Sequence, residues 1–251
     1  MPRALTTKAG SARIGLAGWS EAASRHGKLL PAAEEGASGL QRYAGAFDFV
    51  EINSSFYRQV RPTTYEKWAA EVPDDFRFSV KMHRLITHYT RLRNTALLEP
   101  FFESVAGLGE KLAAVLVQLP PTLVFDPAIA AQFFAALRSR HPGAVVCEPR
   151  HASWMERPAL DVLEAANIGL VRTGIPEPAK EKARDALPVY VRLHGSPRRY
   201  YSAYNSEQLA QLAGFLRLND KRERFVVFDN TASSAAIRNA LELRELLGAS
   251  F

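Results

Sequence analysis

"VYVRLHG", Val189 to Gly195, alternates in character: as a strand it places Tyr190, Arg192 and His194 on one face and Val191 and Leu193 on the other. One face is apolar and suits packing beneath helices. The other carries an arginine and a histidine, and a sheet keeps such groups inside only where they meet partners from other strands.

Working outward, seven further β-rich runs occur: "RIGLAGW" from Arg13, "FDFVEIN" from Phe47, "FRFSVKM" from Phe76, "AAVLVQLP" from Ala113, "AVVCEP" from Ala144, "IGLVRT" from Ile168 and "RFVVFDN" from Arg224. Segments of helical composition separate them: "SGLQRYAGAF", "PTTYEKWAAEV", "LLEPFFESVAGLGEKL", "DPAIAAQFFAALRSR", "RPALDVLEAAN", "NSEQLAQLAGFLRL" and "ASSAAIRNALELRELLG". Asp126 before Pro127, and Asn205 or Ser206 before "EQL", are suitable helix caps. The sixth crossover, "GIPEPAKEKARDALP", carries Pro176 and Pro178 and reads as a loop or a degenerate sixth helix. Successive βα units predict a parallel sheet. Eight of them in 251 residues predict an α/β protein with a single closed (β/α)8 barrel of the TIM type over residues 13–251, after a loose tail at 1–12. A doubly wound open sheet is the alternative, but no GxGxxG or GxxxxGK motif follows any strand.

Composition narrows the class. The chain is 47% hydrophobic and 23% charged, with a net charge of +6 and a pI near 9.5, which favours a small anionic or phosphorylated ligand, with nucleic acid as the alternative partner. The single cysteine, Cys147, excludes an intrachain disulfide framework and a cysteine-rich zinc site. "MPRALTTKAGSAR" contains no apolar signal core and no apolar run reaches membrane length, so a cytoplasmic protein without a membrane partner is expected.

Parity then selects the interior. Phe49, Glu51 and Asn53 share a face, as do Arg77, Ser79 and Lys81; Gln118 opposes Val117 and Leu119, and Glu148 opposes Cys147. With the apolar parity under the helices, Glu51, Lys81, Gln118, Glu148, Arg192 and His194 form an inward ring near the C-terminal ends of the strands, where barrels of this type carry their chemistry. The last strand finishes with Asp229 and Asn230. Glu148 is the candidate general acid or base, with Arg192 and His194 orienting a ligand and Lys81 and Glu51 completing the catalytic set. Around the mouth, "KMHRLITHYTRLR" brings His88, and "HGSPRRYYSAY" brings Arg198, Arg199, Tyr200 and Tyr201. Asn53, Tyr57, Gln118, Arg150, His151, Trp154, Asp229 and Asn230 are further ligand-binding candidates. Arginine forks suit phosphate oxygens, and a hydrolase or lyase acting on a phosphorylated substrate is one reading. A self-satisfied polar plug is another. A metal-dependent nuclease using Glu51, Glu148, His194 and Asp229 is a third, although Lys81 and Arg192 would oppose a cation, and no metal is assigned. A Schiff base on Lys81 is a fourth, with neighbouring cations lowering its pKa and the glutamates raising it. The cofactor is unassigned.

The assembled residues resemble the YecE-like family, domain of unknown function 72. The likeness runs through "VEINSSFYR" (Val50 to Arg58), "FRFSVK" with Thr87 and His88, "VLVQLPP" (Val115 to Pro121), "EPRHASW" (Glu148 to Trp154), "YVRLHG" (Tyr190 to Gly195) and "FDNTASSAAIRNALEL" (Phe228 to Leu243). The resemblance implies a (β/α)8 barrel and supplies no reaction. The chain departs from the family pattern after "GLAGW", and at Asp229, where asparagine is frequent.

Overall fold

Every β-rich run becomes a short parallel strand in the computed structural model, which describes residues 12–20, 29–30, 35–177 and 187–248. The strands are β1 (Arg13–Leu16), β2 (Phe49–Ile52), β3 (Arg77–Lys81), β4 (Leu112–Gln118), β5 (Val145–Glu148), β6 (Gly169–Leu170), β7 (Arg172–Thr173), β8 (Val189–Leu193) and β9 (Arg224–Phe228). They pair in the orders β2-β3-β4-β5-β6 and β1-β9-β8-β7. Two joints close these into a barrel. The sixth run breaks at Val171, so that its first half pairs with β5 and its second with β8, making one stave of β6 and β7. A parallel bridge between Ala17 and Glu51 joins β1 to β2.

That second joint has few ladder bonds, and a side chain supplements them. The Tyr43 hydroxyl accepts from the Leu16 N–H at 3.0 Å and donates to the Phe49 carbonyl at 2.8 Å. Gly15 permits this approach, since a Cβ there would lie 2.0 Å from the Phe49 oxygen and 2.9 Å from the Tyr43 hydroxyl.

Tyr43 sits on α1 (Gly39–Ala44), followed by α2 (Pro62–Ala70), α3 (Leu98–Val105), α4 (Pro127–Arg138), α5 (Arg157–Ala165), α6 (Ser206–Leu218) and α7 (Ala235–Leu246). The expected caps are present: Asp126 accepts from the Ala128 and Ile129 N–H groups, and Asn205 forms a reciprocal capping box with Gln208. The segment "LLEPFFESVAGLGEKL" is less continuous than its composition predicts. Its α-helix stops at Val105 and continues as 3-10 turns to Lys111, because Gly109, at φ 53° and ψ −135°, turns the chain into β4. The expected tail, apart from Ala12, and most of the sixth crossover lie outside the described residues.

Two apolar shells follow from strand alternation. Val117, Cys147, Val191 and Leu193 pack outward with helix residues such as Phe133, Leu209 and Leu243. Phe49, Leu116, Val146, Tyr190, Phe225 and Val227 fill the barrel interior, with the Phe49 and Phe225 rings 5.0 Å apart. The polar residues of these strands stand next along the chain towards their C-terminal ends, so the apolar interior is their floor. Among the described residues no helix is long and apolar enough to cross a membrane.

Candidate functional site at the barrel mouth

Arg192, fully buried on β8, organises the ring. Its Nε and Nη2 bond both oxygens of Glu51 at 3.0 and 2.7 Å, its Nη1 bonds Glu148 at 2.5 Å, and Nη2 reaches Asp229 at 3.2 Å. One planar fork thus meets three carboxylates from β2, the end of β5 and the residue after β9. His194 spans the remaining gap, its Nδ1 2.8 Å from Asp229 and its Nε2 3.2 Å from Glu148. A neutral imidazole donates from one nitrogen only, so both bonds form together only when the ring is doubly protonated. Arg150 adds a 3.0 Å bond to the Glu148 oxygen that His194 also meets, opposite the one held by Arg192.

Beneath this layer, the Tyr190 hydroxyl donates to Glu51 at 2.9 Å, which leaves the Ser79 hydroxyl to donate to Tyr190 across 2.6 Å. Neither residue was assigned to the site from sequence, although both share the inward parity and that signal suffices to find them.

The charges reinforce one another. Burial alone would raise the Glu148 carboxyl, but Arg192, the hydrogen bond from His194 and Arg150 hold it well below the carboxylate range. Asp229 is likewise lowered against its burial, by His194, Arg192 and Lys81. Burial opposes the charge of Arg192 too, and Glu51, Glu148 and Asp229 outweigh it. Glu148 is therefore a carboxylate at neutral pH, a poor proton donor. Among the described residues no group of three His, Cys, Asp or Glu side chains is arranged to hold a metal ion; Arg192 sits between the acidic groups instead.

Lys81 behaves differently. At the inward end of β3, it is 7% exposed, and its amine makes neither a hydrogen bond nor an ion pair among the described residues. Its Nζ stands 4.1 Å from the centroid of the Phe56 ring. Burial first, and Arg192 second, lower its amine to about 8 against the pull of Glu51, Asp229 and Glu148. On the flanking strands, the carboxamide oxygens of Asn53, just past β2, and Gln118, at the end of β4, are buried without a hydrogen-bond partner. His88 packs edge-on to Phe56 at 4.9 Å and bonds Thr87, and burial followed by Lys81, Arg150 and Arg84 lowers its pKa to about 4.

The rim is aromatic and basic. Arg84 lies over Tyr57 and Tyr89, Arg198 over Tyr201 at 3.9 Å, and Arg199 over Tyr200, whose ring stands 5.9 Å from His194. Three candidates are directed elsewhere. Trp154 is buried, its indole N–H bonding the Leu123 carbonyl and its ring packing on Phe125 and Phe134. Asn230 donates to the Ser202 carbonyl and the Asn239 side chain, tying the loop after β8 to α7. His151 caps the 3-10 turn Ala152–Met155 through Ser153. An apolar hollow lined by Val60, Tyr65, Ile86 and Phe101 lies outside the barrel, between α2 and α3.

This arrangement of a barrel with a buried arginine and carboxylate cluster is carried by a chain whose residues 13–251 match the family described as "Protein of unknown function DUF72". The chain belongs to the DUF72 family. It is 27% identical to UPF0759 protein YunF of Bacillus subtilis, over 93% of this chain and 94% of that one. A solved DUF72 family protein from Enterococcus faecalis has the same fold, with a TM-score of 0.77 and 23% identity across 96% of this chain and 97% of that one. A second DUF72 structure, from Thermotoga maritima, aligns with a TM-score of 0.75 and 24% identity over 94% and 99% of the two chains. The DUF72 fold is therefore the (β/α)8 barrel described above.

Proposed function

We propose that the C-terminal mouth of this DUF72 barrel binds a small anionic ligand, of which a phosphate ester is the best fit. The observation that carries the reading is the distribution of charge. The acidic groups of the ring are already bonded to Arg192, His194 and Arg150, whereas Arg84, Arg198 and Arg199 make no ion pair among the described residues. A guanidinium lying on a tyrosine ring keeps its N–H edge free to fork onto phosphate oxygens. Loops after the late strands of this fold are a frequent place for such a site. Glu148, ionised and inward, fixes Arg192, His194 and Arg150 in place beneath the mouth.

Calorimetric titration with glycerol 3-phosphate tests the proposal, comparing the wild type with an Arg198→Ala, Arg199→Ala double variant. Saturable binding that weakens about tenfold or more in the double variant supports it, the loss expected for two charge-assisted contacts. Equal binding by both proteins, or none by the wild type, refutes it. Binding of a single-stranded oligonucleotide with a steep salt dependence, and none of the phosphate ester, moves the reading to nucleic acid.

A further inference from the structure

We infer that Lys81 is a nucleophile, forming a Schiff base with the carbonyl carbon of an anionic hydroxy-aldehyde or hydroxy-ketone held at the barrel mouth. The anionic part of that substrate class rests on the reading above; the amine chemistry stands on its own residues.

A lysine that merely balanced charge inside a polar plug would bond a carboxylate. Three carboxylates are at the ring, yet Arg192 engages all of them and Lys81 pairs with none. Lys111 illustrates the structural alternative, with its amine bonded to the Ala69 and Val72 carbonyls at 2.8 and 2.7 Å. Lys81 rests against Phe56 instead.

The second observation is independent of the amine. β2 and β4 are the two neighbours of β3: Asn53 is the residue that follows β2, and Gln118 stands one inward step beyond the Leu116 that pairs with Lys81. Both side chains carry buried, unpartnered oxygens. An unpaired buried acceptor is costly, and two of them at the ends of the strands that flank Lys81 fit a ligand that brings hydroxyl donors. That points to a hydroxylated carbonyl compound.

The step balances without an oxidant. The unprotonated Nζ gives its lone pair to the carbonyl carbon, the π pair moves to oxygen, and a proton passes from nitrogen to that oxygen to give a carbinolamine. A second proton, from solvent, lets the oxygen leave as water while the nitrogen pair forms the C=N bond. The iminium retains the single positive charge of a protonated lysine, facing the same carboxylates. The lowered pKa of the amine, set by burial and Arg192, leaves about a tenth of it unprotonated at pH 7 and about half at pH 8.

The test is reductive trapping on the full chain at pH 8 with cyanoborohydride, using D-glyceraldehyde 3-phosphate and, separately, uncharged D-glyceraldehyde, followed by peptide mapping. The internal comparator is Lys67, 73% exposed on α2. Lys81 should be modified about tenfold faster than Lys67 by the phosphorylated aldehyde, because an amine titrating near 8 is about half unprotonated there and an ordinary lysine under about 1%. The rate should rise through pH 8, and the adduct should vanish in Lys81→Met. The map of the wild type decides the matter even if that variant folds poorly. Modification of Lys67 and Lys81 alike, or an unmodified Lys81, overturns the inference. An unmodified Lys81 with glycerol 3-phosphate still bound overturns it while the anionic-ligand reading stands. Selective modification of Lys81 to the same extent by both aldehydes supports the nucleophile and overturns the anionic part.

Discussion

Replacing Lys81 by methionine should stabilise the protein, and the size of the gain follows from its surroundings. Lowering the amine from 10.5 to about 8 means that folding disfavours its charged form by about 3 kcal/mol at neutral pH. Losing the contact of the ammonium with the Phe56 ring returns about 1 kcal/mol of that. Methionine keeps an unbranched apolar stem of similar reach over the ring. The expected net gain at pH 7 is about 2 kcal/mol, or about 5 °C in Tm for a chain of this length. The penalty is complete below pH 8, where both states are protonated. It shrinks between 8 and 10.5, where the unfolded chain still binds a proton that the folded protein has released. Urea unfolding of both proteins at pH 7 and pH 10 checks this, with the gain falling below about 1 kcal/mol at the higher pH. A variant less stable than the wild type at pH 7, or a gain unchanged between the two pH values, would refute the account of Lys81 as an unpaired buried amine.

Arg192→Met should have the opposite effect, since it leaves Glu51, Glu148 and Asp229 buried around a missing cation; a loss of about 3–5 kcal/mol in urea unfolding is expected, and a loss under about 1 kcal/mol would show that the cluster does not hold the barrel together. Tyr43→Phe removes the hydroxyl that bridges β1 and β2, leaving the Leu16 N–H and the Phe49 carbonyl without it, and should cost about 1–3 kcal/mol with faster amide exchange at Leu16; unchanged exchange there would mean the seam holds without it.

Much of the interior was legible along single strands. Once "VYVRLHG" is extended, Tyr190, Arg192 and His194 must share a face, and the same period of two places Glu51, Lys81, Gln118 and Glu148 inward. Asp126 and Asn205 were equally legible as caps, because a cap bonds backbone within three residues of itself. Trp154 and Asn230 were not, because their hydrogen bonds go to Leu123, Ser202 and Asn239, and those partners decide which way each side chain turns. The break at Val171 also escapes a local reading: the residues on either side of it pair with different strands, and only closure of the barrel sets where one pairing ends.

The sequence by itself determined the eight staves, their polarity and the roster of ring residues, since these depend on backbone period and local composition. Tertiary structure alone decided the pairing within the ring. Arg192 and Glu51 are 141 residues apart, and closure of the barrel brings Glu51, Glu148 and Asp229 to one guanidinium. Because that fork satisfies all three, the Lys81 amine makes no ion pair among the described residues, and burial with Arg192 lowers it where composition had left the direction open.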